Sequence, residues 1–505
     1  MARVMDLKSY RRSAEEFVCA LTAEYYRHYA GLKESYEIEP IYQRHAELFG
    51  AGAVDDLRGR VDRAPVGSEE RRRLAMLLDF AVEGYIGEAT KRVEAELAQL
   101  EASTSIEVGG EELGFRQSVV VQANEPDASR REAIEVARLA ATEERMNPLH
   151  RELIERQHAI AGELGYSSYR EMCAVTKGLD LDELHAQTSA FAERTEAGYP
   201  AVVDPELRHT VGIGLGGLRR ADLPRFFRAP DLDDRFPADS LLPSLVATMR
   251  GLGFDVGSQP GVVLDVEQRP KKSPRAFCAA VRVPDEVYLV LSPVGGRDDF
   301  SGLFHEAGHT EHYANVDPAL PFEFRHLGDN TITEAFAFLL QGLIEDPAWL
   351  ARHLGIGDPE SIAGYARAYR LVYLRRYCAK LSYERELHGS GVGGASGDGR
   401  WDALADRYAA LLSSALQIAW PSQTFLADVD PGFYCACYLR AWALETHLRR
   451  HLRERFGPEW FESPAAGRAL RELWREGQRL APEELLGGLT AERLDFGVLV
   501  DDLAL

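Results

Sequence analysis

The stretch FHEAGHTEH, Phe304 to His312, contains H-E-x-x-H. On a helix, residues four apart differ by about 40° in azimuth. His305 and His309 therefore share a face and can reach one tetrahedral cation. Glu306 lies about 100° away from His305, placed to touch a metal-bound water without binding the metal. Catalytic zinc takes three protein ligands. The continuation H-E-x-x-H-x-x-G-x-x-H is excluded, because His312 and Asn315 occupy its glycine and final histidine positions. A downstream glutamate is the other source, and Glu311, Glu323, Glu334 and Glu345 are the candidates. Glu334 opens the apolar run EAFAFLLQGL, 25 residues after His309. It also closes TITE, Thr331 to Glu334, which reads as a capping box whose glutamate folds back on its own helix start. Both readings stand on local sequence. Gly308 costs roughly 1 kcal/mol against alanine inside a helix. Close approach of another backbone, or of substrate, is the reason to place it there.

The elements that must hold these groups are mostly helical. SAEEFVCALTAEYYRHYAGL sets Phe17, Val18, Leu21 and Tyr25 along one stripe, and helical period recurs through much of the chain. One long amphipathic stretch, ERRRLAMLLDFAVEGYIGEATKRVEAELAQLEAS, predicts one helix or a kinked pair. Another stops at Gly165, a helix C-terminal signal. The histidine helix is expected to start at Asp298 or Asp299 as N-cap. Residues 262–293 break the pattern. There β-branched and aromatic residues alternate around Pro284-Asp285, predicting a small β-hairpin or sheet beside the histidine helix. The loop at 388–399 is glycine and serine rich and expected to be flexible. G-x-G-x-x-G at Gly212, Gly214 and Gly217 lacks a surrounding βαβ unit and reads as a plain loop.

Composition narrows the function classes. The 505 residues are 45% hydrophobic and 27% charged, as in an ordinary globular protein. A formal net charge of −22 repels phosphate backbones, so no nucleic-acid partner is expected. No apolar run approaches a membrane span, and no membrane partner is expected. Six scattered cysteines and a polar leading segment point to the cytoplasm.

With Gly308 and His312, the motif becomes H-E-x-G-H-x-x-H followed by a glutamate 25 residues on. In this it resembles the thimet oligopeptidase and oligoendopeptidase F family of zinc peptidases. KKSPRAFCA ahead of the motif, RQHAIAGELGYSSYREM upstream and GFYCACYLRAW downstream are similar to that family's segments, and together these span roughly residues 130 to 450. The resemblance implies a mainly α fold, a helical clam shell with a deep substrate channel. An N-terminal helical region, residues 1–125, would precede a catalytic region, residues 126–505. It implies one Zn2+ per chain, held by His305, His309 and Glu334, with Glu306 as general base and short peptides as substrates.

Tyr434 and Tyr438 share a helix face. Such a pair reads as core from periodicity; the resemblance gives one or both phenols the task of donating to the oxyanion. Some family members carry a histidine shortly before these tyrosines, where this chain has Val429. Phe277, Cys278 and Ala279 are expected to form an edge strand that pairs with an extended peptide. Lys271, Lys272 and Arg275 read either as a peptide-carboxylate anchor or as a solvated charge run. His312 reads as channel lining near the metal or as a packed helix residue. His326 reads as an ordinary loop histidine or a substrate contact. Two rival functions remain beside peptide hydrolysis: a zinc carboxypeptidase of related helical fold, and a non-catalytic peptide-binding scaffold.

Overall fold

The computed structural model describes residues 6–389, 398–490 and 493–503. Most of the glycine-rich loop at 388–399 lies outside them. The fold is mainly α, with 71% helix and 5% strand. The described chain forms two compact units, each assembled from separated stretches. Unit 1 comprises residues 1–85, 232–363 and 440–499; unit 2 comprises 86–231, 364–439 and 500–505. Unit boundaries fall inside four α-helices, Glu69–Ser103, Pro359–Leu387, Tyr434–Phe456 and Gly497–Asp502, and inside the 3-10 turn Pro230–Arg235.

Among the described residues, five short strands make two sheets. In unit 2, β1 (Ser105–Val108) and β2 (Glu111–Gly114) form an antiparallel hairpin. Its two-residue turn is Gly109-Gly110, both at positive φ, the backbone such a turn requires. The two helices Ala128–Ala141 and Asn147–Glu163 are joined by one π-turn, Thr142–Met146. Pro148, which lacks an N–H, is the second residue of the helix that follows.

In unit 1, β3 (Val262–Asp265), β4 (Phe277–Arg282) and β5 (Glu286–Val290) are ordered β3-β5-β4. The predicted small sheet is present, and β4 is an edge. It pairs antiparallel with β5, Phe277 opposite Val290. Burial alternates along β4: Phe277, Ala279 and Val281 face inward while Cys278 is half-buried. The N-terminal helix, Leu7–Tyr29, packs against this sheet through Tyr25, Tyr26 and Ala30, with Tyr26 stacked on Tyr288 at 3.7 Å between centroids.

Two helices of unit 1 position the histidine motif. The histidine helix, Arg297–Ala314, buries Phe300, Leu303, Phe304 and Ala307. The glutamate helix, Asn330–Gln341, buries Ile332, Ala335, Phe336, Leu339 and Leu340. They meet at Gly308. A Cβ added there would lie 2.5 Å from Ala337 Cα and 2.5 Å from the Phe336 carbonyl oxygen. The mid-helix glycine is thus the close approach expected from sequence: the absence of a side chain sets the spacing of the two helices.

The start of the histidine helix differs from expectation. Gly296 is the N-cap, and Asp298 and Asp299 lie in the first turn. Asp299 Oδ2 accepts from the amides of Val294 and Gly295, at 2.7 and 2.8 Å. The cap is backbone-made because the entry segment is pinned from outside. Gly296 N–H donates to Phe236 O at 2.8 Å, and Arg297 N–H to Asp233 Oδ1 at 3.1 Å.

Candidate metal centre

The helix spacing brings three side chains together. His305 Nε2 lies 3.4 Å and His309 Nε2 3.8 Å from Glu334 Oε2. Ligand atoms at tetrahedral angles, each ~2.0–2.1 Å from zinc, are about 3.4 Å apart. The two imidazole-to-carboxylate separations are thus close to those of a ligand set, and all three ligand atoms lie within 4.8 Å of one another. Glu334 is buried, and a buried carboxylate facing two imidazole nitrogens is a donor set suited to a cation.

The other nitrogen of each imidazole is held. His305 Nδ1 is 2.8 Å from Gln341 Oε1, whose amide donates on to Ser301 Oγ at 3.0 Å. His309 Nδ1 is 2.8 Å from Thr333 Oγ1. A proton on Nδ1, donated to Gln341, leaves the His305 Nε2 lone pair for a metal. Burial lowers the His305 pKa, but the hydrogen bond it donates to Glu334 and the charges of Glu306 and Glu334 outweigh it and raise the net value. Burial, then the His305 charge, push His309 down to about 3.

Glu334 does not cap its helix. Asp329 does, accepting from Thr331 N at 2.9 Å, and is itself held by Arg440. The capping box legible in TITE is overruled by an aspartate two residues before it. The rival glutamates have other partners. Glu323 is paired with Arg11 and Arg73, at 2.5 and 3.3 Å, and Glu345 with Arg297 at 3.0 Å. Glu311 is fully buried beside Asn315, and burial pushes its pKa up to about 7.

Glu306 projects toward the sheet. The Cys278 amide of β4 donates to its Oε2 at 2.8 Å. Burial raises the Glu306 pKa against the lowering pull of His305 and of that amide. The outward amide of the edge strand thus binds the glutamate rather than standing open for a peptide. Phe277 and Ala279, read as substrate contacts, are 7% and 1% exposed and face the interior of the sheet.

His312 is wholly buried, with Nε2 3.3 Å from Gly477 O and its ring against Phe336 and Tyr313. It is packed, which removes it from any surface a peptide could touch. Lys272 fits neither sequence reading. Its ammonium is fully buried and donates to Asp265 Oδ1, Asp265 O and Glu267 O at 2.7–2.9 Å. It ties together the connection between β3 and β4. Lys271 is exposed and paired with Glu34. His326 packs on Phe322. Tyr434 and Tyr438 belong to unit 2, half-buried at the start of their helix, rings 5.0 Å apart. Tyr438 packs edge-on against Tyr377.

Sequence reasoning missed the groups behind the ligands, Gln341, Thr333 and Ser301. Their polarity on otherwise apolar helix faces was the available signal. If zinc is the ion this site takes, replacing Gln341 by Ala or Thr333 by Val is expected to weaken its binding by about 10–100-fold, read by competition with a chromophoric chelator. Unchanged affinity in both would show that the two bonds do not orient the ligands.

No family model matches the chain, and no curated protein matches it in sequence. Among the described residues, no helix is long and apolar enough to cross a membrane. None of the six cysteines, all among the described residues, forms a disulfide. A second cluster, Glu384, Asp430 and Cys435, lies in unit 2. Lys380 already supplies its cation, 2.7 Å from Asp430 Oδ1.

Proposed function

We propose that this chain is a zinc-dependent peptidase acting on short peptides in the cytoplasm. The observation that carries the reading is the convergence of His305 Nε2, His309 Nε2 and Glu334 Oε2, with the Glu306 carboxylate next along the same helix. Zinc, when bound there, supplies Lewis acidity that polarises a peptide carbonyl and acidifies water.

The protein groups do the rest. His305, His309 and Glu334 hold the ion. Oε2 of Glu306 is committed to the Cys278 amide, so Oε1 takes the proton of the attacking water and passes it to the leaving amine. Burial raises the basicity of that carboxylate. An oxyanion-donor role for Tyr434 or Tyr438 rests on the family resemblance alone.

Purified protein is expected to carry about one zinc per chain. It should cleave members of a short-peptide library, lose that activity to a chelator and regain it with added zinc. Cleavage of peptides with blocked C-termini separates this reading from a carboxypeptidase. Protein without zinc and without cleavage would leave the scaffold reading.

A further inference from the structure

An aromatic cluster of unit 1 leads from the Glu306 carboxylate to the surface. Its inner member is Phe277, the neighbour of the residue whose amide holds Glu306. The Phe277 ring meets Tyr25 edge-on at 5.4 Å, and Tyr25 lies 4.5 Å from Tyr29. Tyr29 is 5.7 Å from Tyr36, which stacks on His28 at 5.1 Å. Burial first, then the charges of Tyr29, Glu306 and Cys278, raise the Tyr25 pKa, in keeping with a phenol close to the Glu306 carboxylate.

The inner rings serve the sheet core, but the outer ones do not. Tyr29 is 37% exposed, Tyr36 39% and Leu32 52%. Clustered exposed apolar groups of this kind mark binding surfaces more often than isolated ones do. The segment is also held in place. Ser273 N–H donates to Tyr29 O at 2.7 Å, and Arg269 Nε to Ala30 O at 2.5 Å. Gly31, at positive φ, presses on the Lys272 backbone, where a Cβ would come within 2.8 Å. The tyrosines are thus fixed to the buried Lys272 loop that leads into β4. A rigid aromatic surface next to a carboxylate base costs little ordering entropy when it binds a ring.

We infer that Tyr29 and Tyr36, backed by the packed Tyr25 and Phe277 rings, form a recognition site for an aromatic side chain of the peptide, beside the bond to be cleaved. This rests on the peptidase reading for the identity of the ligand. The N-terminal helix then supplies selectivity, while the histidine and glutamate helices supply chemistry.

The test uses full-length protein carrying Glu306→Gln, so that bound peptides are not consumed. Fluorescein-labelled peptides with a Phe-for-Ala scan are titrated by anisotropy. At one position Phe is expected to bind about tenfold tighter than Ala. That ratio should fall to about twofold or less in Tyr29→Ala combined with Tyr36→Ala, and persist in Tyr29→Phe combined with Tyr36→Phe. An aromatic preference that survives the double alanine change, or no preference at any position, overturns the inference. Cleavage assays on otherwise wild-type protein separate the two claims. Zinc-dependent cleavage without aromatic preference sinks the recognition site and leaves the peptidase. Aromatic-selective binding without cleavage sinks the peptidase and keeps the site.

Discussion

Glu306→Gln is expected to keep zinc and lose turnover by about 10³-fold or more in kcat/KM. The substitution is close to isosteric. The amide oxygen of Gln can still accept from the Cys278 N–H, which holds the native carboxylate at 2.8 Å, so the side chain stays in place. It has no basic oxygen to take a proton from water. The proposed ligand atoms are those of His305, His309 and Glu334, so metal content measured by elemental analysis should match wild type. Full activity of the variant on the peptides that wild type cleaves would refute the mechanism. Loss of zinc along with activity would instead make Glu306 a structural support of the site.

The second large effect is expected at a residue with no functional group. Gly308→Val puts a branched side chain where a Cβ alone would sit 2.5 Å from Ala337 Cα. The contact is with backbone, so no rotamer relieves it. The glutamate helix must move, and Glu334, three residues before Ala337, moves with it. Overpacking of this kind costs about 1–3 kcal/mol, and zinc affinity should fall with it. Gly302→Ala on the same helix is the control. Its Cβ would meet only Ala276 Cβ, at 4.0 Å, and helix propensity should make it neutral or stabilising by up to about 1 kcal/mol. Urea unfolding and chelator competition on both variants read the two quantities. Wild-type zinc affinity in Gly308→Val would show that the helix spacing does not set the ligand geometry.

The two histidines, the glutamate between them and the tight spot at Gly308 were legible because each is a local pattern on one helix. The mainly helical fold and the small sheet at 262–293 were legible from period alone. Glu334 was not, because the choice between cap and ligand depends on Asp329 and on a helix 25 residues away. Local spacing leaves cap and ligand evenly matched until that aspartate takes the cap position. His312 and Lys272 went the same way: a polar residue on a helix or in a loop carries no sign of its burial. The β1–β2 hairpin had a legible Gly-Gly turn flanked by IEV and EEL, overlooked next to a long helical stretch. Unit boundaries lie inside helices, so no change of composition marks them.

The hydrogen bond from Cys278 to Glu306 has a second consequence. An edge strand offers unpaired amides to any other strand that meets it, and proteins guard such edges against stacking into aggregates. At β4 one of those amides is plugged by a carboxylate from the neighbouring helix. The proposed proton carrier thereby also acts as a guard on the sheet margin. Natural drift that shortened this side chain would uncover a sticky amide as well as silence the chemistry. Selection for solubility and selection for turnover would then both act on the same residue.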